Sequence, residues 1–473
     1  MIAMQEITQQ VLKQITPTEA DRAKVDAVTR ELEQNVALAC REEGIPAVVR
    51  VEGSVAKDTW LPDNPDIDIF MRLPTSIPRK NLGEVGLKIA RKAAGGYDQV
   101  ERFAEHPYLE ITVEGYRVDI VPCYNAKPGE WQSATDRTPY HTDYIKKHLT
   151  VGLHGDVRLL KKFMQGVGVY GAEIKVGGFS GYLCELLIMN YGSFAETIRA
   201  FAHYNRRVTV DIKDYYAERK NELPLLFPEP LVIVDPVDKG RNVASAVQPE
   251  KLYNFVGAAR AFMKMPDTVF FYPLKTEAMP LERFKNQLET RGSSTVFLVV
   301  DQVAVVPDVM WGQLYKTKRS LHKLMGLNDY KILKDAVWSN EKTLSVFVFE
   351  LQQRVLPNIK KHLGPPLERE PECESFLAKY AGNPQVISGP FIEEGRWVVM
   401  LPRKTTDAAA FLRKKLEDGG KNSGVADLIA KSIRKKLRIM VDGEISGVYA
   451  ENEDFAEFLT DFLAGKPFWL TSQ

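Results

Sequence analysis

The chain has 473 residues, 44% hydrophobic and 26% charged, with 63 basic against 62 acidic side chains and a formal net charge of +1. That length exceeds what one hydrophobic core serves, so about two to four domains are expected, and the balanced charge excludes a uniformly basic nucleic-acid binder: any basic surface must be a local patch. The four cysteines (Cys40, Cys123, Cys184, Cys373) form no CxxC pair, the N-terminus has no signal-peptide layout, and no apolar run reaches the roughly 18 residues of a membrane span, which predicts buried thiols in a soluble cytoplasmic protein with no zinc site and no membrane partner.

Thr16-Pro17-Thr18-Glu19 predicts a helix start, with Thr16 as N-cap, Pro17 at the first helical position and Glu19 closing a capping box. Val25, Val28, Leu32 and Val36 continue it as an amphipathic helix to about Cys40. Ala47–Val51 predicts a strand leading into Gly53-Ser54; 66–71, 107–113 and 116–121 predict further strands, with a helix over Lys80–Ala94 between them. Together these make a mixed sheet with helices on it. From about Asp143 helical patterns dominate, one through Val157–Met164 and one after Phe179-Ser180-Gly181-Tyr182. Strand character returns at Leu231–Val234, just before Asp235-Pro236-Val237-Asp238. Beyond 254, strands over 296–306, 344–350 and 397–401 alternate with helices over about 314–325, 351–363 and 425–437, and Pro365–Glu372 reads as an exposed linker. The fold class expected is α+β multidomain.

The chemistry centres on three aspartates. Asp66 and Asp68 are two apart in an apolar run, so on a strand they share one face while Ile67 and Ile69 enter the core. Asp119 repeats the pattern in Arg117-Val118-Asp119-Ile120-Val121 and can complete the cluster from a neighbouring strand. Packed carboxylates repel, and divalent Mg²⁺, which prefers hard oxygen ligands, is the natural counter-charge. A lone D-x-D is a weak signal, because exposed aspartates alternate on many strands. Gly53-Ser54 strengthens it: the glycine lets backbone N–H groups approach a phosphate, the Ser54 hydroxyl can bond one of its oxygens, and Lys57 can offset its charge. These are the parts of a two-metal nucleotidyl-transfer site, in which ions ~4 Å apart clamp the attacking and leaving oxygens. Asp66 and Asp68 would bridge both ions and Asp119 would hold the ion on the nucleophile side. Two basic clusters, Lys316, Lys318, Arg319 and Lys323, and Lys431, Arg434, Lys435, Lys436 and Arg438 on a predicted helix, are ordinary solvated faces unless RNA lies along them.

The chain resembles the archaeal, class I CCA-adding enzymes, tRNA nucleotidyltransferases of the DNA polymerase beta-like superfamily. The likeness rests on Gly53–Leu61, Ala104–Tyr108, Val118–Tyr124, Asp136–His141, Val157–Lys161, Tyr170–Glu173, the run from Gly178 to Ile188, Asp235–Asp238 with Arg241–Ala244, Gly389–Ile392 and Gly395–Trp397. It covers nearly the whole chain and is densest from 53 to 245. It implies a polymerase beta-like catalytic head at 1–142, a helical neck at 143–253 and an α+β body at 254–473 with a tail inserted at about 301–385. It implies that Asp66, Asp68 and Asp119 bind two Mg²⁺ ions and that Ser54 and Lys57 form a phosphate loop. By the same likeness His141, Lys161 and Tyr170 hold the sugar and triphosphate of incoming CTP or ATP, and Arg241 reads the base edge. From the residues alone, Lys161 is as readily a surface helix lysine, His141 a surface histidine, and Tyr170 and Arg241 do not stand out. The implied activity is addition of C, C and A to the 3′ end of tRNA without a template, the acceptor and T-arm region lying along the later domains. A poly(A) polymerase or oligoadenylate synthetase-like transferase stays open, as does a non-catalytic RNA-binding protein, although the intact aspartates argue against the last. The oligomeric state is open, a homodimer included.

Overall fold

The computed structural model describes residues 2–63, 65–103, 105–301 and 305–470. It divides into two compact units, Met1–Lys275 with Lys466–Gln473, and Thr276–Gly465.

The first unit opens with α1 (Ile2–Ile15) and α2 (Glu19–Glu42), then β1 (Val48–Glu52), the single turn α3 (Gly53–Ala56), β2 (Asp66–Leu73), α4 (Arg79–Ala94), β3 (Asp98–Phe103), β4 (Pro107–Val113) and β5 (Tyr116–Tyr124). The five strands form one sheet in the order β1-β2-β5-β4-β3. Only the central β2–β5 pair is parallel. Strand periodicity splits β2 cleanly: Ile67, Ile69, Met71 and Leu73 pack with Val118 and Ile120 of β5 against Val25, Val28, Leu32 and Val36 of α2 and Leu82 and Ile89 of α4. Asp66, Asp68 and Asp119 are therefore left on the opposite face. α4 can press onto the sheet because Gly83 and Gly86 carry no side chain: a Cβ there would lie 2.5 Å and 2.4 Å from the rings of Pro107 and Pro122.

The same unit continues with α5 (Thr138–His148), α6 (His154–Gly166), α7 (Gly181–Tyr191), α8 (Phe194–Ala202), β6 (Val208–Val210), α9 (Leu223–Leu226), β7 (Leu231–Ile233) and α10 (Pro249–Lys264). Phe163 of α6 is the hub of this layer, with the rings of Phe194, Phe255, Phe262, Phe270 and Phe271 within 5.2–6.1 Å of its own. Truncating so enclosed a ring typically costs ~3–5 kcal/mol.

The second unit contains α11 (Leu281–Thr290), β8 (Ser294–Asp301), α12 (Pro307–Gly326), β9 (Ile332–Ser339), β10 (Leu344–Leu351), β11 (Ile359–Pro366), α13 (Glu370–Tyr380), β12 (Ser388–Glu393), β13 (Arg396–Pro402), α14 (Ala408–Leu416), α15 (Asp427–Lys435), β14 (Leu437–Val441), α16 (Ser446–Glu451) and α17 (Glu453–Ala464). Its main sheet runs β14-β8-β10-β9, and β11-β13-β12 form a second. The middle of β8 is continuously apolar because both its faces are covered: Val296, Leu298 and Val300 join one core, Phe297 and Val299 another. Lys316, Arg319 and Lys323 are exposed on α12, while Lys318 pairs with Asp335. No helix among the described residues is long and apolar enough to cross a membrane.

Several sequence expectations need correction. The cap of α2 is Thr18, in a capping box with Asp21, whereas Thr16 donates its hydroxyl back to the Leu12 carbonyl at the end of α1. The helix expected over 351–363 is absent. β10 ends at Leu351, Pro357 interrupts any helix, and β11 begins at Ile359. Pro365–Glu372 is no extended linker: it holds the end of β11, a three-residue exposed turn and the first turn of α13. The basic cluster near 431–438 is only partly helical: α15 stops at Lys435, and Arg438 lies on β14. β8 ends at Asp301, and 302–304, within the strand expected over 296–306, lie outside the described residues, as does Ala104 of the Ala104–Tyr108 motif.

Candidate active site

Parallel pairing of β2 with β5 sets Asp68 directly opposite Asp119 and Asp66 opposite Arg117. The row extends across the sheet, with Glu52 of β1 opposite Asp68 and Glu110 of β4 opposite Asp119. Neighbouring strands are ~4.8 Å apart, so this face concentrates negative charge. Burial, then repulsion from Asp119 and Asp66, pushes the Asp68 carboxyl up to about 7. Burial also raises Asp119, to about 6, against the pull of Arg117. Arg117 serves as the local counter-charge, donating to Asp119 at 3.0 Å and meeting Glu110 at 2.8 Å, while Arg102 of β3 grips Glu110 from the other side. Among the described residues no three Asp, Glu, His or Cys side chains close into a ready metal-binding group. The donor chemistry nevertheless fits Mg²⁺: hard carboxylate oxygens share one face, and burial first and acidic neighbours second leave the Asp68 carboxylate short of counter-charge.

The turn after β1 explains its glycine. Gly53 has φ +67°, and a Cβ there would lie 1.8 Å from Asp68 Oδ2. Only glycine lets α3 start against that carboxylate, with Ser54 in its first turn. Lys57 follows and is buried; its ammonium donates to Glu185 of α7 at 2.6 Å. Thr59 donates to the other Glu185 oxygen at 2.6 Å. Lys161 is not a surface lysine: it is 1% exposed, donates to the Thr59 carbonyl at 2.9 Å and hydroxyl at 3.1 Å, and stands 3.8 Å from Glu185. Burial pulls the Lys161 ammonium down to about 8, with Glu185 opposing. Gly181 leaves room for the Tyr170 hydroxyl and the end of Lys161, which would lie 3.1 Å and 3.4 Å from a Cβ at that position. Burial pushes the Tyr170 phenol well above its ordinary range.

A second cluster surrounds Asp235, fully buried just after β7. Its carboxylate meets His141 Nε2 at 2.9 Å and accepts hydrogen bonds from the Tyr182 hydroxyl at 3.2 Å, Arg241 at 2.8 Å and the Val237 N–H at 2.9 Å. Burial works against the ionised form, but these partners outweigh it and hold Asp235 down at about 2. His141 also stacks on Tyr182, ring centroids 4.1 Å apart. Tyr182 joins the clusters, since Lys57 lies 5.8 Å from its ring. Lys161 acts electrostatically on Asp66, and Lys57 on Asp68. The structure thus groups Lys57, Lys161 and Tyr170 around α7, ties His141 to Arg241 through Asp235, and sets Ser54 on the turn against Asp68. Sequence reasoning assigns no role to Glu185 or Asp235. The one signal for Glu185 is a single acid inside the apolar run Leu183-Cys184-Glu185-Leu186-Leu187.

A mixed sheet carrying paired aspartates on adjacent parallel strands, beside a Gly-Ser turn and buried lysines, defines a nucleotidyltransferase head. Residues 33–141 match the nucleotidyltransferase domain, 155–272 the second domain of tRNA nucleotidyltransferases, and 291–442 the C-terminal domain of CCA-adding enzymes. The chain is 40% identical over 411 residues to a CCA-adding enzyme of Methanosarcina barkeri, covering 86% of this chain and 88% of that one. It is 38% identical over 452 residues to a CCA-adding enzyme of Methanosarcina acetivorans, covering 95% and 96%. Among solved structures, CdnC of E. coli MS115-1 with ATP superposes with a TM-score of 0.44 at 19% identity, over 57% of this chain and 93% of that one, too loosely to argue from. The chain belongs to the family of archaeal CCA-adding enzymes.

Proposed function

We propose that this protein is a CCA tRNA nucleotidyltransferase, building and repairing the 3′-terminal CCA of tRNA from CTP and ATP without a template. The observation that carries the reading is the parallel register of Asp68 with Asp119, Asp66 two residues before Asp68, within a chain that matches CCA-adding relatives over most of its length.

In this reading Asp66, Asp68 and Asp119 hold two Mg²⁺ ions. Bound there, the metal lowers the pKa of the attacking hydroxyl and offsets charge on the departing phosphates. The chain's own side chains do the rest. Ser54, Lys57 and Lys161 bind the triphosphate, and the burial of the two lysines limits the water that competes for them. His141 and Tyr170 orient the sugar. Asp235 fixes one edge of Arg241, leaving its remaining N–H groups for the base. The 3′-oxygen of the tRNA forms a bond to the α-phosphorus, the bond to the pyrophosphate bridge breaks, and the hydroxyl proton is lost. The division into head (1–142), neck (143–253) and body with inserted tail is part of this proposal. So are binding of the acceptor and T-arm region by the basic faces of α12 and α15 and a cytoplasmic site of action.

The test is substitution of each aspartate in turn by alanine. Each change should remove addition of C and A by several orders of magnitude, because charge stabilisation carries most of such a rate. Asp119→Ala should bind tRNA like the wild type. Activity above about a tenth of wild type in any of the three would remove that aspartate from the role.

A further inference from the structure

We propose that Glu185 is a positioning residue for the nucleotide: one buried carboxylate that holds Lys57 and Lys161, charged and in place, for the triphosphate. The inference rests on the reading of those two lysines as triphosphate contacts. Its basis is geometric. Glu185 is fully buried at the centre of α7, and its two oxygens are divided, Oε2 taking Lys57 at 2.6 Å and Oε1 taking Thr59 at 2.6 Å with Lys161 3.8 Å away. Thr59 completes the arrangement, since Lys161 donates to both its carbonyl and its hydroxyl. Two buried ammonium groups without an anion between them would repel and tend to lose a proton. One carboxylate against two lysines leaves a surplus positive charge within this group, which suits an anionic ligand. The acid sits on a different helix from either lysine, so its position is set by the apolar packing of Leu183, Leu186 and Leu187 and not by the ligand.

Glu185→Gln keeps the shape and the Thr59 hydrogen bond but removes the charge. Lys57 then loses its ionic partner, and Lys161 falls below its present value of about 8 because the one strong group raising it is gone. The other groups facing Lys161 are Thr59, Cys184 and Tyr170, with Lys57, Arg158 and Asp66 further off. The measurement is calorimetric titration of CTP alone, and of ATP alone, into the full-length protein with Mg²⁺ from about pH 7 to about pH 9. Wild-type affinity should fall as pH rises through about 8. In Glu185→Gln that fall should begin about one pH unit lower, for CTP and ATP alike, with tRNA affinity unchanged. Weaker binding with the fall at its wild-type pH would make Glu185 merely structural and overturn the proposal, as would unchanged binding. If Glu185→Gln does not fold, Glu185→Asp keeps the charge on a shorter arm that cannot reach both Lys57 and Thr59. It should weaken both nucleotides several-fold without moving the fall, and wild-type affinity in that variant would overturn the proposal. Because the titration contains no tRNA, a failure to add CCA would leave this result readable.

Discussion

Asp68 should be a residue whose removal kills activity yet stabilises the metal-free protein. An ordinary aspartate loses its proton near pH 4, while burial, Asp119 and Asp66 hold that of Asp68 until about 7. The folded state therefore binds this proton more tightly than the unfolded chain does. Stability contributed by the protonated form is complete below the unfolded value and is lost as pH rises towards 7. A displacement from 3.8 to about 7 corresponds to about 4 kcal/mol at ~1.4 kcal/mol per unit. Asp68 retains some solvent contact, which screens the repulsion, so about 2–3 kcal/mol is expected. Asp68→Asn keeps the shape and removes the charge. In EDTA its thermal midpoint should match wild type at about pH 4 and exceed it by several degrees at about pH 8. Mg²⁺ should close the gap from the other side, stabilising wild type by binding its folded state and doing little for the variant. Thermal melts at both pH values, with EDTA and with Mg²⁺, measure all of this. An Asp68→Asn protein less stable than wild type at about pH 8 in EDTA would refute the view that this carboxylate is held against its neighbours' charge.

Lys161→Ala should raise the Michaelis constants for CTP and ATP by a similar factor, since a triphosphate contact ignores the base; steady-state rates on matched tRNA ends test it, and an effect on one nucleotide alone would contradict that role. C and A share an acceptor ring nitrogen beside an exocyclic amino group, where U and G present an N–H, so a guanidinium donor separates the pairs without measuring size. Arg241→Ala should therefore damage CTP and ATP use together and reduce discrimination against UTP and GTP roughly ten- to a hundredfold, the worth of one buried donor left unpaired at ~1–3 kcal/mol. Incorporation rates for all four triphosphates give the answer.

Local periodicity makes the centre of the site legible. The alternation in β2 and β5 by itself assigns three aspartates to one face, and tertiary packing has only to supply the parallel register. Lys161 is not legible in this way: α6 is buried nearly all round, Val157, Leu159, Leu160, Phe163 and Met164 included, so periodicity sets no outer face against which a lysine stands out. The anions holding the cations are not legible. Glu185 meets Lys57 across 128 positions, and Asp235 meets His141 across 94, pairings that only the folded chain creates. The errors fall where two local signals compete. Thr16 and Thr18 both offer a capping hydroxyl, and at 351–363 a helical apolar spacing competes with Pro357, which breaks it.

The central claim is tested most directly by supplying the purified protein with Mg²⁺, labelled CTP or labelled ATP, and three tRNAs that end before the first C, before the second C and before the terminal A. The expected result is labelled C on the first two, labelled A on the third, and an intact CCA end when both nucleotides are present. Long runs of A on every end, or no incorporation on any of them, would contradict it.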